Sequence, residues 1–308
     1  MTVPALRIGT RGSPLALAQT HMVRAALAKA HGVPEDHFGI EIIRTTGDQI
    51  QDRPLSEAGG KGLFTKELDS KLIAGAVDFA VHSSKDLPTH IPAEIIIAGF
   101  MPREDPRDAW IGRDGMTIET LPPGAVVGTA SLRRAAQVKR RRPDIQTTLL
   151  RGNVETRLRK VQSGEIDATL LALAGLKRLN LAHHATALLP LDDFPPAAGQ
   201  GAIGITARAD DAATRAALAP LLDKATAQAL AAERAFLTAL DGSCRTPIAG
   251  LAQIDGDELS FYGEVLKADG TQTFVVRRKG RAIDAAMIGA DAGNEIVLKL
   301  PHGVAGLM

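Results

Sequence analysis

Basic and hydroxyl side chains recur at one kind of place in this sequence, where a short apolar run gives way to a helix-like one. Arg11 and Ser13 follow the run 6–9. Lys85 and Asp86 follow 77–81. Ser131, Arg133 and Arg134 follow 125–128, and Arg151 and Arg157 bracket a turn after 147–150. In open α/β sheets ligands bind beyond the carboxyl ends of strands, and helix N-termini add N–H donors and a field that favours anions. A guanidinium fork grips a carboxylate through two bonds. Any one of these arginines alone reads equally well as a cap or a solvated ion pair. Four such junctions together describe an inter-domain cleft for a ligand with several carboxylates. Asp86 is the carboxylate among them. It could accept from a substrate N–H, shuttle a proton or stabilise a developing cation, against the plainer reading of a salt-bridged loop residue. His82, without a partner motif, reads as structural.

Cys244 is the only cysteine in 308 residues and lies in the turn-like run Gly242-Ser243-Cys244-Arg245-Thr246-Pro247. A lone thiol makes no internal disulfide and no thiolate cage. A thiolate for covalent chemistry, favoured by the charge of Arg245, competes with an inert buried cysteine. The flanking Gly, Ser, Arg and Pro argue for a loop rather than a packed core, but the inert reading stays ahead because free cysteine is mostly a small buried hydrophobe. Gly199-Gln200-Gly201-Ala202-Ile203-Gly204 has dinucleotide-loop spacing but follows a proline-rich stretch and precedes a strand, so it fails the context that motif needs. Gly59-Gly60-Lys61-Gly62 lacks P-loop spacing and ends a segment, about 47–60, that reads as a lid. No His, Cys or carboxylate cluster has metal-ligand spacing, so no metal is expected. Lys and Arg total 36 against 35 Asp and Glu, and aromatics are 3%. Neither favours nucleic-acid binding. No signal peptide or bilayer-length apolar run is evident, and a single cysteine suits a reducing compartment. A cytoplasmic monomer is expected.

The elements that must position these residues alternate. Strands are expected at 6–9, 40–44, 77–81 and 95–100. A helix follows Ser13-Pro14, an N-cap with proline at the first position, and another carries Phe64, Leu68 and Leu72. Residues 102–108 read as a proline-broken linker. A second α/β pattern follows: strands at 125–128, 147–150 and 168–173, helices at 132–141 and 154–162. The run Lys139-Arg140-Arg141-Arg142 reads as a solvated helix end. Residues 194–199 read as a second linker. The strand at 202–207 returns to the first sheet, a helix spans 225–240, and the rest is a hairpin with a closing helix from about 283. The domains expected are 1–101 with 202–219, 107–195, and 223–308. The fold class is α/β, two lobes with mixed sheets and a small α+β C-terminal domain.

Over essentially its whole length the chain resembles the porphobilinogen deaminase (hydroxymethylbilane synthase) family. The resemblance is carried by Arg7-Ile8-Gly9-Thr10-Arg11, Ser13-Pro14-Leu15-Ala16-Leu17, Gly59-Gly60-Lys61-Gly62-Leu63-Phe64, Val81-His82-Ser83-Ser84-Lys85-Asp86-Leu87-Pro88 and Arg103-Glu104-Asp105-Pro106-Arg107-Asp108-Ala109. Gly128-Thr129-Ala130-Ser131-Leu132-Arg133-Arg134, Leu150-Arg151-Gly152-Asn153, Leu173-Ala174-Gly175-Leu176-Lys177-Arg178-Leu179, Gly199-Gln200-Gly201-Ala202 and the Cys244 loop continue it. It implies that the first two domains are periplasmic-binding-protein-like lobes. It implies a dipyrromethane cofactor on Cys244, which reverses the inert reading of that thiol. The implied reaction joins four porphobilinogen units head to tail with loss of ammonia, then hydrolyses off hydroxymethylbilane for haem synthesis. By the same match Arg11, Ser13, Lys85, Ser131, Arg133, Arg134, Arg151 and Arg157 hold carboxylates of cofactor and substrate. Asp86 assists departure of the amino group, and Gln19, Lys61, Phe64 and Gln200 are further cleft or lid positions. The chain departs from the family pattern at Gly12, Glu57, Ser84, Ala130, Ser243 and Arg245. A non-catalytic anion-binding module is the alternative, and it needs neither Cys244 nor Asp86.

Overall fold

The structure, a computed structural model, describes residues 3–49, 62–241 and 246–300. In chain order the first elements are β1 (Arg7–Arg11), α1 (Pro14–His31), β2 (Gly39–Ile43), α2 (Thr46–Gln49), α3 (Lys66–Ile73), β3 (Phe79–Ser83) and β4 (Ile95–Phe100). Next come β5 (Asp108–Gly112), β6 (Val126–Gly128), α4 (Leu132–Arg141), β7 (Gln146–Thr148), α5 (Val154–Gln162), β8 (Ala168–Ala172), α6 (Leu173–Arg178) and β9 (Ala187–Leu188). The chain ends with β10 (Ile203–Arg208), α7 (Ala212–Leu218), α8 (Lys224–Ala239), β11 (Ile248–Asp255), β12 (Glu258–Leu266), β13 (Thr273–Arg281) and α9 (Ala285–Lys299). No helix among the described residues is long and apolar enough to cross a membrane.

Two compact units emerge. One gathers 3–49, 62–104 and 202–227; the other gathers 105–201, 228–241 and 246–300. The first is built on a five-stranded mixed sheet in the order β2-β1-β3-β10-β4. β1 pairs in parallel with β2 and β3, while β10 runs antiparallel to β3 and β4. β3 and β10, inside the sheet, are buried along nearly their whole length, whereas the edge strand β2 stays largely exposed. Ile8, Val23, Leu27, Phe79, Ile203 and Leu218 pack together, and Ile43, Leu68, Leu72 and Val77 form a second cluster. α1 starts where Ser13 accepts from the Ala16 amide with Pro14 in the first turn, and stops at left-handed Gly32.

The second unit holds another five-stranded mixed sheet, β7-β6-β8-β5-β9, and a three-stranded antiparallel sheet, β11-β12-β13. Trp110, Val127, Val138 and Leu170 fill one cluster of the mixed sheet and Leu150, Leu158, Leu171 and Leu176 another. α9 lies against β12 and β13. It also comes so close to α8 that a Cβ on Gly289 would strike the backbone of Ala232. Glycine is required there by proximity, not by turn geometry.

Several expectations change. The expected linker 102–108 ends in β5, and Asp108 is fully buried. The expected linker 194–199 is packed core, with Phe194 and Ala198 buried. The strand expected at 168–173 stops at Ala172, and Leu173 opens α6. β3 runs on through His82 and Ser83, leaving only a turn of 3-10 helix, Ser84–Asp86, where a polar loop was expected. The end of α4 is solvated only in part, at exposed Arg141. Arg140 pairs with buried Glu264, and Arg142 bonds Asp144 and the carbonyls of Ile118 and Leu121. A charge that finds a fixed carboxylate in the fold outdoes the weak helix-dipole attraction.

Candidate functional site

In the first unit the candidate residues gather beyond the carboxyl ends of the parallel strands β2, β1 and β3. Arg11 is the last residue of β1, Thr45 and Asp48 follow β2, and Lys85 and Asp86 follow β3. Arg11 directs Nη1 toward Asp86 Oδ2 at 3.5 Å. It directs Nη2 and Nε toward Asp48 at 2.5 and 3.2 Å. Its guanidinium lies 4.1 Å from the centre of the Phe64 ring. Burial opposes the charge of Arg11, but Asp48 and Asp86 outweigh it and hold its pKa above the ordinary value. Burial likewise opposes ionisation of Asp48, yet the bonds from Arg11 and Thr45 keep its carboxyl below the usual range. Asp86 keeps 27% of its side chain exposed, enough to meet a ligand. Lys85 is half-buried beside it.

The surrounding residues are support. Ser13 Oγ accepts from the Ala16 amide at the N-cap of α1, which leaves its O–H able to donate. Gln19 is buried and its amide exchanges bonds with Ser83 Oγ at 3.0 and 3.1 Å. His82, behind Asp86 in β3, bonds Thr206 Oγ1 at 3.0 Å. Burial, with the charge of Arg11, pushes its pKa down to about 4, so it stands neutral at pH 7. That is the structural role its sequence context suggested.

In the second unit the other candidates lie at the carboxyl ends of β6 and β7, adjacent parallel strands. Ser131 caps α4 by accepting from the Arg134 amide, and Asn153 caps α5 by accepting from the Thr156 amide. Arg151 and Arg157 are half-buried, and Arg157 Nε donates to Gly152 O at 3.0 Å. Arg133 and Arg134 are buried and share Asp108. Their Nη2 atoms lie 2.8 and 2.6 Å from its two oxygens. Arg133 also donates to Gln137 and to Pro195 O, and Arg134 to Leu170 O. Burial, with repulsion from Arg134, pulls the pKa of Arg133 down despite Asp108. Gln200 is buried as well, its amide donating to Pro106 O and to Asp108, both at 2.8 Å. Cys244, Lys61 and most of the expected lid lie outside the described residues.

The sequence reading passed over Asp48 and Asp108. Asp48 was within reach of the rule that found Arg11, since it follows the second expected strand. Asp108 was hidden by its proline-rich, charged surroundings.

Residues 6–216 match the family described as porphobilinogen deaminase, dipyromethane cofactor binding domain, and residues 227–297 match porphobilinogen deaminase, C-terminal domain. Porphobilinogen deaminases of Nitrobacter winogradskyi and Nitrobacter hamburgensis are each 55% identical to the chain over 94% of its length and 92% of theirs. Among solved structures, a Salmonella typhimurium periplasmic binding protein of high arginine specificity aligns with 72% of this chain and 93% of its own, at a TM-score of 0.41 and 14% identity. By both domain matches and by its curated relatives, the chain belongs to the porphobilinogen deaminase family.

Proposed function

We propose that the chain condenses four porphobilinogen molecules head to tail on a dipyrromethane carried by Cys244 and releases hydroxymethylbilane by hydrolysis. Asp86 is its acid–base group and the strand-end arginines hold its carboxylates. Membership of the family carries the reaction. The observation that supports the residue roles is the Arg11–Asp86 pair at the end of β3, a partly exposed carboxylate facing a guanidinium.

The residues fit such a cofactor. Each of its pyrroles carries an acetate and a propionate, so it needs cations in excess. Around Asp108 two guanidiniums share one carboxylate, and the Nε atoms of both Arg133 and Arg134 are buried without an acceptor among the described residues. When bound, the dipyrromethane supplies an electron-rich pyrrole carbon as the growing end. Each addition forms one carbon–carbon bond and breaks the aminomethyl carbon–nitrogen bond, whose electron pair leaves with ammonia. Positive charge develops on the substrate at that moment. The Asp86 carboxylate would accept from a substrate pyrrole N–H and stabilise that charge, and would serve as the base for the proton that the new bond displaces. Arg11 and Lys85, with Arg151 and Arg157, bind carboxylates through charge-assisted bonds. Ser13 and Ser131 shape the helix N-termini beside them, and Phe64 backs Arg11.

The same reading divides the chain into three domains, 1–101 with 202–219, 107–195, and 223–308. It makes the protein a cytoplasmic monomer that binds no nucleic acid. The near balance of 36 basic and 35 acidic residues supports the last point.

Intact mass tests the whole. The purified chain should exceed its sequence mass by one dipyrromethane, and Cys244→Ala should lack both the increment and the activity. Asp86→Asn should keep the increment while kcat falls by about a hundredfold or more. An unmodified Cys244 in active protein, or normal turnover by Asp86→Asn, would refute these assignments.

A further inference from the structure

Arg11 is held by more than the strand that carries it. Its Nε and Nη2 edge is filled by the two oxygens of Asp48, while Nη1 faces Asp86. Asp48 is itself fixed, since the hydroxyl of fully buried Thr45 donates to its Oδ2 at 2.8 Å. The short α2 that carries Asp48 is tied to α3, because Thr46 N and Oγ1 both donate to Glu67 Oε1. Gly47 donates to Leu63 O, and a Cβ on Gly47 would collide with the Phe64 ring. Phe64 therefore packs flush against this backbone and supports the guanidinium from one face.

One guanidinium thus stands between two carboxylates, and Asp48 takes its paired edge. Without Asp48, Arg11 would be drawn to set its fork on Asp86. A bidentate pair of that kind would withdraw both groups from substrate. A side chain pinned along one edge has also lost its rotamer freedom before a ligand arrives, which lowers the cost of binding.

We propose that Asp48 is a positioning residue for the condensation: it occupies the Nε–Nη2 edge of Arg11, so that Asp86 meets only Nη1, at 3.5 Å, and is not locked into a bidentate pair when the porphobilinogen carboxylate reaches Arg11. This rests on the roles given above to Arg11 and Asp86.

The test is a double-mutant cycle on the holoenzyme, with each variant's cofactor content checked by intact mass. Turnover of porphobilinogen is measured for the parent, Asp48→Asn, Arg11→Ala and the double variant, using single-turnover conditions for slow forms. Asp48→Asn should lower kcat/KM about tenfold when Arg11 is present and less than about twofold when it is absent. Thr45→Val, which loosens Asp48 without removing it, should give a smaller loss that also vanishes with Arg11. Equal losses in both backgrounds would show that Asp48 acts through the fold, and no loss would show that it does not act. Either overturns the proposal. Full activity of Arg11→Ala would instead overturn the role of Arg11 itself.

Discussion

Replacing Asp108 by Asn is the most demanding test of the second unit. The exchange keeps the volume, removes the charge and points an amide donor at a guanidinium. Asp108 is fully buried and accepts from Arg133, Arg134 and Gln200 at 2.8, 2.6 and 2.8 Å. Breaking a buried ion pair by removing one partner costs about 3–5 kcal/mol. Here one carboxylate serves two guanidiniums, so the upper part of that range applies. At about 2–4 °C per kcal/mol, the unfolding transition should fall by roughly 10–20 °C. Scanning calorimetry of the holoenzyme at neutral pH reads this directly. Asp108→Asn combined with Arg134→Met should lose less than Asp108→Asn alone, because the second change removes an orphaned charge. A transition within about 2 °C of the parent, or strictly additive losses, would mean that the triad does not hold the unit together as described.

Further outcomes follow from single contacts. His82 takes up a proton near pH 6.5 when unfolded but only at about 4 when folded. Its contribution to stability is therefore complete above pH 6.5. It erodes by about 1.4 kcal/mol per pH unit as pH falls toward 4. Urea midpoints at pH 7 and pH 4.5 should drop further for the parent than for His82→Gln, and equal drops would refute this origin. Gly289→Ala should destabilise by about 1–3 kcal/mol through collision with Ala232, although in an open helix the same change would stabilise by about 1 kcal/mol. Stabilisation by Gly289→Ala in chemical unfolding would mean that α8 and α9 yield without cost.

Local signals were legible in the sequence. Ser13-Pro14 and Ser131 announce helix starts because a cap acts within three residues, as the bonds to Ala16 and Arg134 amides show. Arg11 and Asp86 were singled out separately by their places after apolar runs, and the fold brings them together across 75 positions. What was not legible is pairing over long separations. Arg133 and Arg134 read as cations for a ligand, but nothing local reveals that Asp108, 25 and 26 positions away, takes one Nη2 of each. Arg140 looked solvated until Glu264, 124 positions away, paired with it. β5 was missed because Pro106 and its charged neighbours mask the short buried run Ala109-Trp110-Ile111. A buried carboxylate at a strand start has no local signature.

The place of β10 between β3 and β4 bears on how the protein is made. Ile205 pairs with Val81, a strand partner synthesised more than a hundred residues earlier. Until residues 203–208 leave the ribosome, the first sheet is a three-stranded parallel piece and a detached β4. Its apolar edges then wait for their partner while the intervening chain is translated. Such a gap is when exposed strand edges meet other chains. Nascent chains stalled before β10 should therefore need chaperones, whereas those stalled just after it should resist proteolysis.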